Sequence, residues 1–219
     1  MEILNIGKLI KSLNPVNGCS IGCSYCYARK INNRFKITPD FSVPQFVEKR
    51  LKRIGTKKPN TYLMTSMSDF SNWKNEWRDV VFDKMRENPQ HAYLFLTKRP
   101  ECIQFETELN NVWMGVTVTS ESDKNRIAAM QKNIKATNYF VTFEPLFGEL
   151  GDLDLDGLGW VVIGTETGNR KGKSTSEKHW ILNISNQAKA KNIPVFMKET
   201  LLNIVGEQNM LQELPKNFR

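Results

Sequence analysis

His91-Ala92-Tyr93-Leu94-Phe95-Leu96-Thr97-Lys98-Arg99-Pro100 is the stretch that decides the fold. An apolar and aromatic run of strand length leads straight into a polar cluster, and a proline then forbids its continuation. The same form recurs at Thr61–Met67, Val112–Thr119, Tyr139–Glu144, Gly159–Thr165 and Ile193–Lys198, and more weakly at Leu9–Val16. Most of these runs end in polar residues: Ser66-Met67-Ser68-Asp69, Thr97-Lys98-Arg99, Thr117–Glu121, Thr142 with Glu144, Thr165-Glu166, and Lys198-Glu199.

Helical patterns fill the gaps. Ser42-Val43-Pro44-Gln45 reads as a capping box, followed by an apolar stripe of Phe46, Val47, Leu51 and Ile54. Trp77, Val80, Val81 and Met85 lie on one helical face, and Asn88-Pro89 ends that helix. Ile127, Met130 and Ile134 mark a third helix, and Ile181, Ile184 and Ala188 a fourth. Cys26–Asn33 and Pro100–Leu109 are shorter candidates. Strands alternating with helices require parallel pairing, because each crossover returns over a sheet face. An open sheet gathers its functional groups at one switch point, whereas polar residues at the carboxyl end of every strand suit a barrel mouth. The expected fold is α/β: a partial (βα)6-7 TIM-like barrel with parallel strands, one domain over 1–219 with a C-terminal tail from about 203 to 219.

The chain has 219 residues and a net charge of +8. Basic residues gather at Arg29–Lys36, Lys49–Lys58 and Arg170–Lys173, a balance that suits phosphate-bearing partners as well as a solvated lysine-rich surface. No stretch approaches the length of a membrane span, and Lys8 and Lys11 interrupt the apolar N-terminal stretch. A cytoplasmic location without membrane association is expected, where clustered cysteines bind metal more often than they pair.

Two familiar motifs fail on spacing. Asp152-Leu153-Asp154-Leu155-Asp156-Gly157 imitates a calcium loop, but its bidentate glutamate position is Ile163. Gly168–Ser174 falls one residue short of a phosphate-binding P-loop and reads instead as a basic loop over the barrel mouth.

Cys19, Cys23 and Cys26, three of the four cysteines, share the loop 18–29 in C-x3-C-x2-C spacing. An odd number of thiols does not make a disulfide framework, and a closed zinc site needs a fourth ligand. Three thiolates suit zinc or an iron–sulfur cluster. For zinc, Cys102, His91, His179 or a carboxylate would complete the set. That alternative describes a zinc-stabilised nucleic-acid-binding protein without catalysis.

The spacing, with Tyr25 just before the last cysteine, resembles the radical S-adenosylmethionine superfamily. A longer series runs through Asn14-Pro15, Gly18-Cys19, Cys26-Tyr27-Ala28, Ser66–Asp69, Leu96–Pro100, Trp113-x-Gly115-Val116, Glu144-Pro145-Leu146, Trp160–Gly164 and Phe196-x-Lys198. It is similar to a phage and prophage family within that superfamily whose activity is largely unassigned. The chain departs from that pattern at Gly164-Thr165-Glu166-Thr167-Gly168, where the family reads G-G-E-S-G.

The resemblance implies a [4Fe–4S] cluster on Cys19, Cys23 and Cys26, with S-adenosyl-L-methionine on the open iron. Tyr25 would lie near the adenine. Ser66, Ser68 and Asp69 would receive the methionine amine, and Lys98 or Arg99 its carboxylate; Thr119 joins these cofactor-binding candidates from its strand end. Lys98, Glu144 and Glu166 are the catalytic candidates, the two acids facing substrate or ribose hydroxyls. An external electron donor would reduce the cluster, and the resulting 5′-deoxyadenosyl radical would abstract a substrate hydrogen. Charge and resemblance together favour a nucleotide or nucleic-acid substrate, with Tyr27, Phe70 and Trp73 as candidate stacking or rim residues.

Overall fold

Seven short strands pair side by side in the order in which the chain makes them. They are β1 (Ile10–Ser12), β2 (Thr61–Leu63), β3 (Ala92–Thr97), β4 (Val112–Thr117), β5 (Asn138–Phe143), β6 (Trp160–Ile163) and β7 (Val195–Met197). Every pairing in this sheet is parallel. Each strand adds to the same growing edge, so the sheet curls into a half-barrel with β1 and β7 as its outermost strands, and the segment 211–213 hydrogen-bonds the outer edge of β7. This computed structural model describes residues 2–216 and 218. The expected domain and its tail therefore include three positions, 1, 217 and 219, outside the described residues.

Strand periodicity sorts the side chains onto two faces. Tyr93, Phe95, Met114, Val116, Val141, Phe143, Val161 and Ile163 point outward into the main core. The helices α2 (Asn75–Arg86), α3 (Arg126–Asn133) and α4 (Lys178–Ala190) supply Val81, Phe82 and Met85, Ile127 and Met130, and Ile181, Ile184 and Ala188 to that core. The alternate residues Leu94, Trp113, Phe140, Trp160, Val162 and Phe196 form a second cluster on the concave face. Phe218 closes the bottom of that cluster, with ring centres 4.8 Å from Trp160 and 5.2 Å from Trp113. Gly115 is where a side chain cannot fit, since a Cβ there would stand 2.4 Å from the Phe140 ring.

The seam between β1 and β7 is bridged by side chains: the Asn5 amide donates to the Glu199 carboxylate, and Gln212 reaches both sides. The Gln212 amide nitrogen donates to the carbonyls of Leu4 and Met197, and its oxygen accepts from the Leu4 N–H.

Several expected elements change. The segment after Ser42 is a short strand, Gln45–Phe46, and then the 3₁₀ helix Glu48–Gly55, rather than a capped α-helix. Ser42 gives both its N–H and its hydroxyl to Asp40, so Asp40 takes the local capping role in a turn. Pro100–Leu109 is not a helix: Pro100–Cys102 is one 3₁₀ turn and Phe105–Glu106 a short strand that pairs with Ile134–Lys135. Ile134, expected in the third helix, begins that partner strand. Most of the expected strands are shorter than the apolar runs that announce them, because their polar ends turn away to line the mouth. No helix is long and apolar enough to cross a membrane among the described residues.

Candidate functional site

The concave face is apolar at the bottom and polar at the top. Continuing the strand parity past Leu96, Gly115, Thr142 and Phe196 brings Lys98, Thr117, Glu144 and Lys198 to the carboxyl end of the half-barrel. These four residues line one cavity of about 430 Å³. That size lies within the range of small-ligand pockets. The cavity also receives Cys19, Cys23, Tyr25, Cys26, Tyr27, Ser66, Ser68, Asp69 and Glu166, with Phe41, Met67, Leu63 and Leu96 as apolar wall. The expected cysteine ligands and catalytic residues are thus brought to a single pocket, as are Tyr25, Ser66, Ser68 and Asp69. Thr119 and Arg99 lie outside this lining; the Thr119 N–H and hydroxyl both reach the Asp123 carboxylate.

The cysteine loop enters the mouth between β1 and α1 (Tyr27–Phe35). Gly18 permits the entry: its φ is +106°, and a Cβ there would stand 2.8 Å from the Val43 carbonyl oxygen. The three thiols line the same cavity but differ in their local partners. Cys26 caps α1, its sulfur accepting from the Arg29 N–H at 3.3 Å. Cys23 is hydrogen-bonded to the Tyr25 phenol. Cys19 is pushed up to about 11, chiefly by burial, with the Ile21 backbone N–H acting in the other direction.

No group of three or more histidine, cysteine, aspartate or glutamate side chains that could hold a metal ion forms among the described residues. The expectation of a [4Fe–4S] cluster carrying S-adenosyl-L-methionine is corrected on that finding, as is the zinc alternative. The physical reason is that two of the thiols are committed to local hydrogen bonds, Cys23 with the Tyr25 phenol and Cys26 with the Arg29 N–H, although all three line the same pocket. The expected fourth ligands are also placed elsewhere. His91 is buried and uses both ring nitrogens, accepting from the Asn60 N–H and facing the Ile54 carbonyl at 2.7 Å. Cys102 is exposed, and His179 stands beside Glu177.

The remaining candidates divide by what already holds them. Asp69 is buried and engaged: one oxygen accepts from the Ser71 N–H, the Ser71 hydroxyl and the Thr97 hydroxyl, the other from the Lys98 N–H. It joins the ends of β2 and β3, with one oxygen saturated and the other accepting a single backbone N–H. Ser68 accepts from the Trp73 indole, and Ser66 shares a network with Asn14 and Ser12. Phe70 and Trp73 are buried in the core, so of the three expected stacking residues only Tyr27 is open, at 55% exposure.

Glu166 is bound in a fork by Arg170, at 2.5 and 2.7 Å, and accepts the Ser174 N–H as well. The guanidinium holds its carboxyl below the ordinary value. The basic loop is strapped down across the mouth by this pair and by Ser176, whose hydroxyl donates to the Leu146 carbonyl.

Lys198 bridges both oxygens of Glu144, at 2.6 and 2.5 Å. The pair depends on a glycine, because a Cβ at Gly164 would meet the Glu144 carboxylate at 3.0 Å. The sequence reading singled out Glu144 without Lys198; the signal was the strand parity that puts Lys198 two residues beyond Phe196.

Lys98 is the opposite case. Its ammonium stands 5.5 Å from the centre of the Tyr25 ring and has no hydrogen-bond or ion-pair partner among the described residues. Burial draws it below the ordinary lysine value, against the opposing charges of Cys23 and Asp69. Lys98 and Ile21 also line a second cavity, of about 540 Å³, with Arg99, Asn125 and Arg126. The two cavities share Lys98 and Ile21 as lining residues.

Nothing among curated proteins or solved structures matches the chain. Residues 5–207 match the family described as "Protein of unknown function (DUF5131)", and the chain belongs to that family.

Proposed function

We propose that the chain is an enzyme, that its half-barrel is TIM-like as its motifs suggest, and that the pocket at the strand ends is an active site for a nucleotide. The observation that carries this reading is the unpaired ammonium of Lys98, a lining residue of both cavities. A cation drawn into a pocket without a direct hydrogen-bond or ion-pair partner gains most when a ligand brings an anionic group to it. A phosphate at that ammonium would have Arg99 on its other side. The apolar and aromatic wall of Tyr27, Phe41 and Met67 would take the base.

Two strands along from Lys98, the Glu144 carboxylate is fixed by Lys198. It is the group placed to accept a proton from the bound ligand, and the lysine gives it one orientation. Glu166 is held back by Arg170 and becomes available to a ligand only when the basic loop lifts.

The test is a search for nucleotide conversion. Each ribo- and deoxyribonucleoside monophosphate is incubated with the protein and a heat-cleared small-molecule extract that supplies co-substrates, and products are read by mass spectrometry. Consumption of at least one nucleotide by the wild type and not by Glu144→Gln is expected. Consumption of none, or equal consumption by both proteins, would contradict the reading.

A further inference from the structure

One face of α1 is unpartnered although it is apolar. Tyr27, Ile31 and Phe35 follow one another at four-residue spacing and are 55%, 37% and 63% exposed. Residues so spaced share a helical face. A neighbouring side of the helix is secured, with Ala28 and Asn32 buried, and the Asn32 amide is hydrogen-bonded to the N–H and carbonyl of Thr38. The exposed face is therefore held in one orientation. It begins at the pocket, because Tyr27 lines the cavity and its hydroxyl donates to the Ser66 carbonyl at 2.8 Å.

Cations interleave this stripe. Lys30, Arg34 and Lys36 are exposed and have no ion-pair partner among the described residues. The Arg34 guanidinium lies 5.0 Å from the centre of the Phe35 ring, which leaves the stacked pair open to a further planar group. Lys30 is close enough to act on the Glu166 carboxylate, so the basic loop with Lys171 and Lys173 flanks the same mouth.

We propose that this face of α1 is a docking surface for single-stranded nucleic acid, with bases stacking on Phe35 and Tyr27 and phosphates meeting Lys30, Arg34 and Lys36. Stacking platforms alternating with cations are what a flexible polyanion with flat bases requires. A bilayer fits less well, since the Tyr27 hydroxyl is hydrogen-bonded at the pocket rim and holds the ring beside the mouth. The surface leads a strand toward the pocket; only the fate of a base that enters rests on the enzymatic reading above.

The experiment is fluorescence anisotropy of the full chain with a fluorescein-labelled, mixed-sequence single-stranded DNA oligonucleotide. Affinity should fall steeply with rising salt, and unlabelled duplex of the same sequence should compete more weakly than the single strand. Phe35→Ala and Arg34→Ala should each weaken binding about tenfold, with unchanged thermal melting because both side chains are exposed. Arg86→Ala, on the exposed end of α2, should bind as the wild type does. Salt-independent binding, equal competition by duplex, or equal affinity of Phe35→Ala and Arg86→Ala would overturn the proposal. So would flotation with anionic phosphatidylserine vesicles together with absence of oligonucleotide binding. Binding is read without turnover: a failed nucleotide assay leaves the surface standing, and a failed anisotropy assay leaves the pocket standing.

Discussion

Asp69 shows how a residue can sit in a pocket and still serve the scaffold. Its four hydrogen bonds come from Ser71, Thr97 and Lys98, and its position between two strand ends fixes the backbone from which the Lys98 side chain departs. Asp69→Ala leaves buried donors unsatisfied, and chemical denaturation should show a loss of about 2–4 kcal/mol. Glu166 is tied to mobility instead. Its carboxyl is lowered in the fold by Arg170, so the pair stabilises the strapped loop above the ordinary glutamate range and loses that effect as pH falls through the lowered value. Limited trypsin digestion at neutral pH should cut after Lys171 or Lys173 faster in Glu166→Gln than in the wild type; equal rates would contradict the strap. Such partners are not legible in sequence. Glu166 and Asp69 both read as acids at strand ends, and only the fold shows one closed by a neighbouring arginine and the other by hydroxyls and amides.

At the scale of elements, the strand parity carries most of the account. The repeated apolar run with a polar end was legible because the inner strands are buried on both faces, so their composition is dictated by packing, whereas the partly exposed β1 announces itself weakly. The helices α2, α3 and α4 were legible for the same reason, each with a buried stripe against the sheet. The segments that defeated the reading are those with few core contacts to settle their geometry. Around Ser42–Ile54 only Leu51 and Ile54 of the expected stripe are buried, while Phe46 and Val47 are partly exposed. Local hydrogen bonding from Asp40 then decides the turn. Gly115 tests the layered concave face directly. Gly115→Ala drives a methyl group into the Phe140 ring, and it should lower stability by about 1–3 kcal/mol in a denaturant titration. Gly164→Ala presses on the Glu144 carboxylate instead, and should impair nucleotide conversion more than it impairs folding.

Across the whole molecule, an aromatic layer closes the bottom of the half-barrel, polar strand ends open its top, and a basic helix and loop border the mouth. The sequence made the cysteine loop the most conspicuous feature, and motif spacing implied that its thiols converge on a cluster. Spacing does not specify side-chain direction: one thiol caps a helix, one meets a phenol and one is buried. Lys98 is a pocket cation with no hydrogen-bond or ion-pair partner among the described residues, and the account turns on it. The measurement that tests this most directly is calorimetric titration of the protein with nucleoside monophosphates and with the corresponding nucleosides. The account predicts that a monophosphate binds more tightly than its nucleoside, and that Lys98→Met loses about 1.5–3 kcal/mol of monophosphate affinity while its nucleoside affinity and melting temperature stay unchanged. Equal binding of nucleotide and nucleoside by the wild type, or an unaltered preference in Lys98→Met, would contradict it.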